Sequence, residues 1–175
     1  NAYASFGNGG TVFQPRVAAD AVDQSGHPVK TFTPVAARHV PLPASTRDPM
    51  LAGLKGVTLP GGPAGGTFAG FPQNIMAVAG KTGTADHVGQ QPTSVFMSFA
   101  PADNPQYAVG VIIDQGGFGA AAAAPVARSV YEYLLANPVQ PIANPVPGPS
   151  ATLPPLPATV PVNAAQGAGG GNGTR

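Results

Sequence analysis

Gly80-Lys81-Thr82-Gly83-Thr84 is the segment of this sequence whose residue types could do chemistry. Gly-Lys-Thr invites a phosphate-loop reading, in which backbone N–H groups cradle a phosphate. That pattern would place its first Gly at position 75, but Ile75 stands there, and Gly83 follows Thr82 where a helix should begin. Gly117-x-Gly119-x-x-Ala122 mimics a dinucleotide fingerprint. The fingerprint also needs a second parallel strand bearing an acidic residue about 20 positions on. A proline-rich stretch occupies that place, so the segment is read as a helix-leading loop whose small residues allow close packing. His27, His39 and His87 lack the i+3 or i+4 partner of a helical metal pair, and Asp86-His87 is expected to be a solvated pair in a loop. No metal site and no cofactor are expected. No Ser stands in Gly-x-Ser-x-Gly, so a nucleophile elbow is absent.

Placed on a strand, Lys81-Thr82-Gly83-Thr84 makes chemical sense. A strand edge can pair main chain to main chain with an extended peptide. Gly83 has no Cβ, so a ligand can lie against it. Lys81 puts a cation where a carboxylate or a proton-transfer partner could sit. Thr82 and Thr84 offer hydroxyl donors to a carboxylate, and strand alternation sends both to one face.

The elements that must position this segment follow from pattern. Ile75–Thr84, Thr93–Ala100 and Tyr107–Asp114 are strand candidates; the last alternates Tyr107, Val109, Val111 and Ile113. Pro101–Pro105 is short enough to force antiparallel pairing of the last two. The Ala-rich run ending at Ala136 is expected to be a helix with Pro125 in its first turn and a buried stripe of Val126, Val130, Tyr133 and Leu134. Ser45 or Thr46 is expected to cap a helix through about Val57. Arg16–Val22 and Val29–Phe32 flank Gln24-Ser25-Gly26-His27, a hairpin turn. Asn1–Phe6 reads as the last turns of a helix stopped by Gly7-Asn8-Gly9-Gly10. A three-strand meander covered by a C-terminal helix is an α+β arrangement.

Composition narrows the function classes. The 175 residues are 9% charged with net charge +1, so no basic field exists to hold nucleic acid. Zero Cys excludes a disulfide scaffold, a Cys-zinc site and a thiol nucleophile. Residues 137–175 hold nine Pro and six Gly, with Arg175 as their single charge. They are read as a disordered, partly polyproline tail, and residues 1–136 as the folded part. The missing Met and the partial first helix suggest a piece of something longer.

Four segments carry a resemblance to the C-terminal part of penicillin-binding protein transpeptidase domains, class B most closely. They are Asn1–Gly10 (NAYASFGNGG), Ala79–Ala85 (AGKTGTA), Ser94–Pro101 (SVFMSFAP) and Ala123–Val126 (AAPV), in the family's order and approximate spacing. The resemblance implies part of a penicillin-binding and serine β-lactamase-like fold. It implies that Lys81 joins the proton-relay and carboxylate-binding network, that Thr82 and Thr84 hold the carboxylate of substrate or β-lactam, that Gly83 lets it approach, and that the Thr84 N–H forms half of an oxyanion hole. The activity implied is acyl transfer between peptidoglycan stem peptides in cell-wall and cell-shape synthesis, with β-lactams as inhibitors. The implied location is the extracytoplasmic side of the cell membrane, anchored by residues outside this chain.

The departure from the family is its nucleophile. None of Ser5, Ser25, Ser45, Ser94, Ser98, Ser129 and Ser150 has Lys three residues later, and no Ser-x-Asn occurs. The nucleophile and its base are therefore expected upstream, in a half supplied covalently or as a separate chain. Two alternatives stay open: a fragment of a serine β-lactamase or β-lactam sensor, and a non-catalytic wall-binding module. One sheet face, lacking cover from that half, should expose part of an apolar row such as Val95, Met97 and Phe99 or their neighbours. Incubated alone with a β-lactam, this chain is expected to form no covalent adduct, because no serine has an adjacent activating base. Mass spectrometry checks this; a stable adduct on any of the seven serines overturns the partial-site reading.

Overall fold

A computed structural model describes residues 1–139. The segment read as a tail lies, from residue 140 on, outside the described residues. The elements run α1 (Ala2–Gly7), β1 (Thr11–Phe13), β2 (Asp20–Val22), β3 (Pro28–Thr31), β4 (Ala36–His39), α2 (Ala44–Gly56), β5 (Ala79–Ala85), β6 (Thr93–Ala100), β7 (Tyr107–Ile113) and α3 (Ala123–Ala136). The arrangement is α+β, with helices on both faces of an antiparallel sheet of order β5-β6-β7.

The central strand β6 is Thr-Ser-Val-Phe-Met-Ser-Phe-Ala, rich in the β-branched and aromatic residues that suit a pleated surface. Its even-numbered side chains face α3. Phe96 is fully buried there, with Ala123, Ala124, Ala127 and Tyr131 from the helix. The contact between sheet and helix is partly polar. Ser94 Oγ donates to the Phe118 carbonyl (3.1 Å) and accepts from the Ala123 N–H (3.0 Å). Ser98 Oγ lies 2.9 Å from Tyr131 Oη and also donates to the Val109 carbonyl at 3.1 Å. Burial pushes the Tyr131 phenol well above its ordinary pKa, against a smaller opposing effect of the Ser98 hydrogen bond.

The stripe expected on α3 is corrected. Val126, Val130 and Tyr133 are 45%, 38% and 66% exposed, and of the expected set only Leu134 packs on the core. Alanines at 123, 124 and 127 let the helix backbone come close enough for Ser94 to bond it. Larger apolar residues at helical spacing pick out the wrong face here, because the buried face is made of Ala123, Ala124, Ala127 and Tyr131.

The odd-numbered β6 side chains face α1 and α2. Phe99 is buried against Phe6 (ring centroids 6.0 Å apart), with Ala79, Leu51 and Leu54 around it. Lys55 in the last turn of α2 binds both Asp103 oxygens at 3.0 Å, tying the helix to the β6–β7 turn. On this face Val95 and Met97 are half-buried, while Ile112, cross-strand from Val95, is 65% exposed. The expected uncovered row is thus confined to the end remote from Phe99.

Other boundaries moved. Neither Ser45 nor Thr46 caps α2; Pro43 precedes its first residue, and the Pro43 carbonyl accepts from the Thr46 and Arg47 N–H groups. Ile75–Val78 is not strand: the Ile75 and Met76 N–H groups donate to the Pro72 carbonyl in a turn, and at Val78 side chains take over, with Gln73 Oε1 accepting from its N–H and Thr58 Oγ1 donating to its carbonyl. The hairpin around Gly26 is present as β2–β3, with Asp23 Oδ1 accepting from the Ser25 and His27 N–H groups. The β1–β4 pair that brackets it was not foreseen.

A Cβ at Gly119 would stand 2.5 Å from the Val95 carbonyl oxygen and 2.6 Å from that of Gly83, both backbone atoms that cannot step aside. Gly119→Ala is therefore expected to cost about 1–3 kcal/mol. Gly66→Ala, with open space at its Cβ, should stay within about 0.5 kcal/mol. Urea unfolding of the two variants checks the contrast. A second test is alkaline. A phenol whose folded pKa is raised contributes stability that is fully present below its unfolded value of about 10 and is lost as pH rises above it. Tyr131→Phe should flatten that loss while costing about 1 kcal/mol at neutral pH. An unchanged slope above pH ~10 would contradict it.

Candidate active-site strand

β5 is an edge strand of the three-stranded sheet, paired on one side with β6 through Gly80↔Ser98, Lys81↔Met97, Thr82↔Phe96, Gly83↔Val95 and Thr84↔Ser94. Its other side has no strand partner among the described residues. The expected placement of Lys81 and Thr84 on a strand beside Thr93–Ala100 is observed, which excludes the phosphate-loop alternative, since no helix starts at Thr82.

Alternation divides the segment between two faces. Ala79, Lys81, Gly83 and Ala85 share the face of Phe99, Met97 and Val95. Gly80, Thr82 and Thr84 share the α3 side; a Cβ at Gly80 would meet the Phe96 ring at 2.8 Å. Lys81 and the two threonines therefore flank the free edge from opposite sides. Lys81 is exposed, and its Nζ donates to the Thr82 carbonyl at 2.6 Å. No carboxylate lies within ion-pairing distance of Lys81 among the described residues. Thr82 is half-buried and Thr84 exposed.

Gly83 sits between two backbone-scale constraints. On its own face a Cβ would approach Val95 Cβ at 3.2 Å. On the α3 side lies Gly119, whose Cβ position would be 3.0 Å from the Gly83 nitrogen. The Gly117-x-Gly119-x-x-Ala122 loop thus serves close packing, as its small residues suggested. It supports the backbone of the Lys-Thr-Gly segment from behind.

One feature escaped the sequence. Asp86-His87 is not merely a solvated pair: His87 Nε2 lies 3.2 Å from Thr93 Oγ1, which donates to Asp114 Oδ1 at 3.0 Å. No spacing rule links positions 87, 93 and 114; only the sheet register does. His27 pairs with Asp23 at 3.6 Å and His39 faces Thr11 at 3.4 Å, both at the surface. No group of three metal-ligating side chains occurs among the described residues. The hollows of about 350 and 420 Å³ beside α1 touch none of residues 79–85. No helix of the described residues is long and apolar enough to cross a membrane.

Comparison with known proteins bears on this geometry. The model of the penicillin binding protein transpeptidase domain matches residues 1–132. Peptidoglycan D,D-transpeptidase PbpA of Mycolicibacterium smegmatis is 29% identical over 138 residues, covering 72% of this chain and 26% of the relative. Peptidoglycan D,D-transpeptidase MrdA of Acinetobacter baumannii is 33% identical over 102 residues, 47% of this chain and 15% of the relative. Among solved structures, penicillin-binding protein A from M. tuberculosis, as an imipenem acyl-enzyme complex, superposes with TM-score 0.60 at 26% identity, over 76% of this chain and 29% of its own. The D,D-transpeptidase domain of a peptidoglycan glycosyltransferase from Eggerthella lenta does so with TM-score 0.60 at 25% identity, over 77% and 30%. The chain spans about a quarter of the length of the PbpA relative. The match of the transpeptidase domain model over residues 1–132 of the chain's 175 shows that this chain belongs to the penicillin-binding protein transpeptidase family.

Proposed function

We propose that the free edge of β5 is one wall of the acyl-transfer site of a peptidoglycan D,D-transpeptidase, the reading carried by Lys81–Thr84 lying on an unpaired strand edge backed by Gly119. A serine outside the present sequence supplies the nucleophile, since no Ser-x-x-Lys is encoded here. Its Oγ attacks the carbonyl of the D-Ala-D-Ala bond in a stem peptide. The C–N bond breaks, the leaving D-Ala amine takes a proton, and the acyl group stays on the serine as an ester. An amine of a second stem peptide then takes the acyl group and releases the serine. A β-lactam traps the ester, because its leaving nitrogen stays tethered.

Within this scheme Lys81 holds a cation at the proton-relay side of the edge. The Thr82 and Thr84 hydroxyls reach the terminal carboxylate from the opposite side. The Thr84 N–H supplies half of the oxyanion hole, and donors of that kind act on charge developing in the transition state. The residues completing the site come from the upstream half of the domain, and the protein works on the extracytoplasmic side of the membrane.

The test is the acylation rate of the whole protein with a fluorescent penicillin, together with D-Ala release from a stem peptide. Lys81→Ala should lower acylation by about 10² or more. Thr82→Ala with Thr84→Ala should lower it about 10–100-fold through lost hydrogen bonds to a charged group. Full-rate acylation by Lys81→Ala would refute the assignment.

A further inference from the structure

Three residues remote in sequence meet at the distal end of the β5–β6 hairpin. Ala85 pairs with Thr93, and Asp114 follows Ile113, the partner of Ser94. Alternation puts Thr93 on the same face as Lys81, Gly83 and Val95, beyond Val95 from Lys81. The Thr93 side chain is buried, while His87 and Asp114 are exposed.

A threonine hydroxyl has one proton. Thr93 spends it on Asp114 Oδ1, an acceptor when ionised. With that proton engaged, Thr93 Oγ1 can accept from an N–H on His87 Nε2. The cluster acts as a latch between the loop and the sheet.

What it latches is the loop of residues 86–92, which leaves β5 directly after Thr84-Ala85. The loop's other ties are the Pro92 carbonyl, accepting from the Gly117 N–H at 2.8 Å, and a 3.4 Å turn bond from Gln90 N–H to the His87 carbonyl. A peptide adding to the β5 edge runs along Lys81–Ala85 and meets this loop next. We propose that His87, acting through Thr93 and Asp114, is a positioning residue for an extended peptide substrate: it pins the β5–β6 loop to the Lys81 face of the sheet and so fixes where the strand edge ends. This rests on the transpeptidase reading above, but the latch itself does not.

Two measurements on the whole protein separate these claims. The first is hydrogen exchange of the Gln90 and Gly117 amides, whose acceptors are the His87 and Pro92 carbonyls at the two ends of the loop. His87→Ala and Thr93→Val should each speed it by about threefold or more. His87→Gln, whose amide N–H can take the place of Nε2–H, and Thr93→Ser should restore it; His87→Asn, which mimics the other ring nitrogen, should not. Exchange unchanged in His87→Ala, or restored equally by Asn and Gln, overturns the latch whatever the protein catalyses. The second is turnover of a stem-peptide donor. Loss of one hydrogen bond at the loop should raise KM about fivefold, leave kcat within about twofold, and recover with Gln. An unmoved KM, or a fall in kcat with KM constant, overturns the positioning role while the exchange result stands.

Discussion

Gly119 lies against the backbones of two neighbouring strands at once, and most of the described structure depends on that contact. With no Cβ, the loop before α3 can sit under the Gly83–Val95 pair of the sheet. From there the chain enters α3 at a height where the Ala123 N–H reaches Ser94 Oγ and the Phe118 carbonyl takes the Ser94 proton. Any side chain at 119 would lift the loop, lengthen both hydrogen bonds and withdraw support from the segment that carries Lys81 and Thr84. Position 119 is thus a packing constraint with a consequence at the strand edge.

The rest of the helix contact follows from the same closeness. Alanines at 123, 124 and 127 keep α3 near the sheet, and one large side chain, Tyr131, fills the space farther along. Its hydroxyl would be a buried orphan without Ser98, and an unmet buried polar group costs about 1–3 kcal/mol. Serines at 94 and 98 on the helix-facing side of β6 are therefore structural partners. On α3 itself, Arg128 binds the carbonyls of Thr67 (2.6 Å) and Ala69 (3.0 Å), which ties the long segment between α2 and β5 to the same helix.

The opposite face is asymmetric. Phe6, Leu51 and Leu54 cover the Ala79–Phe99 end, and Lys55–Asp103 closes that corner. Toward Val95 and Ile112 the cover stops, and the polar His87–Thr93–Asp114 cluster takes over at the rim. Lys81 stands between the two regions, cross-strand from Met97.

Much of this was legible in the sequence. Thr93–Ala100 and Tyr107–Ile113 announced themselves by β-branched and aromatic residues around a turn too short for anything but antiparallel pairing. Lys81-Thr82-Gly83-Thr84 could be placed on a strand because Gly83 and the missing loop glycine at 75 argue against a phosphate loop. Local chemistry decides such features, since they depend on neighbours within a few residues. Other features were settled only in three dimensions. The buried face of α3 is chosen by how close the helix comes to the sheet, so small alanines won over Val126 and Val130. The first residues of the expected strand were lost to a turn in which Ile75 and Met76 bond the Pro72 carbonyl, and Val78 was lost to the side chains of Gln73 and Thr58. The His87–Thr93–Asp114 contact exists because the register of three strands brings residues 87, 93 and 114 to one rim, and no one-dimensional spacing encodes a register.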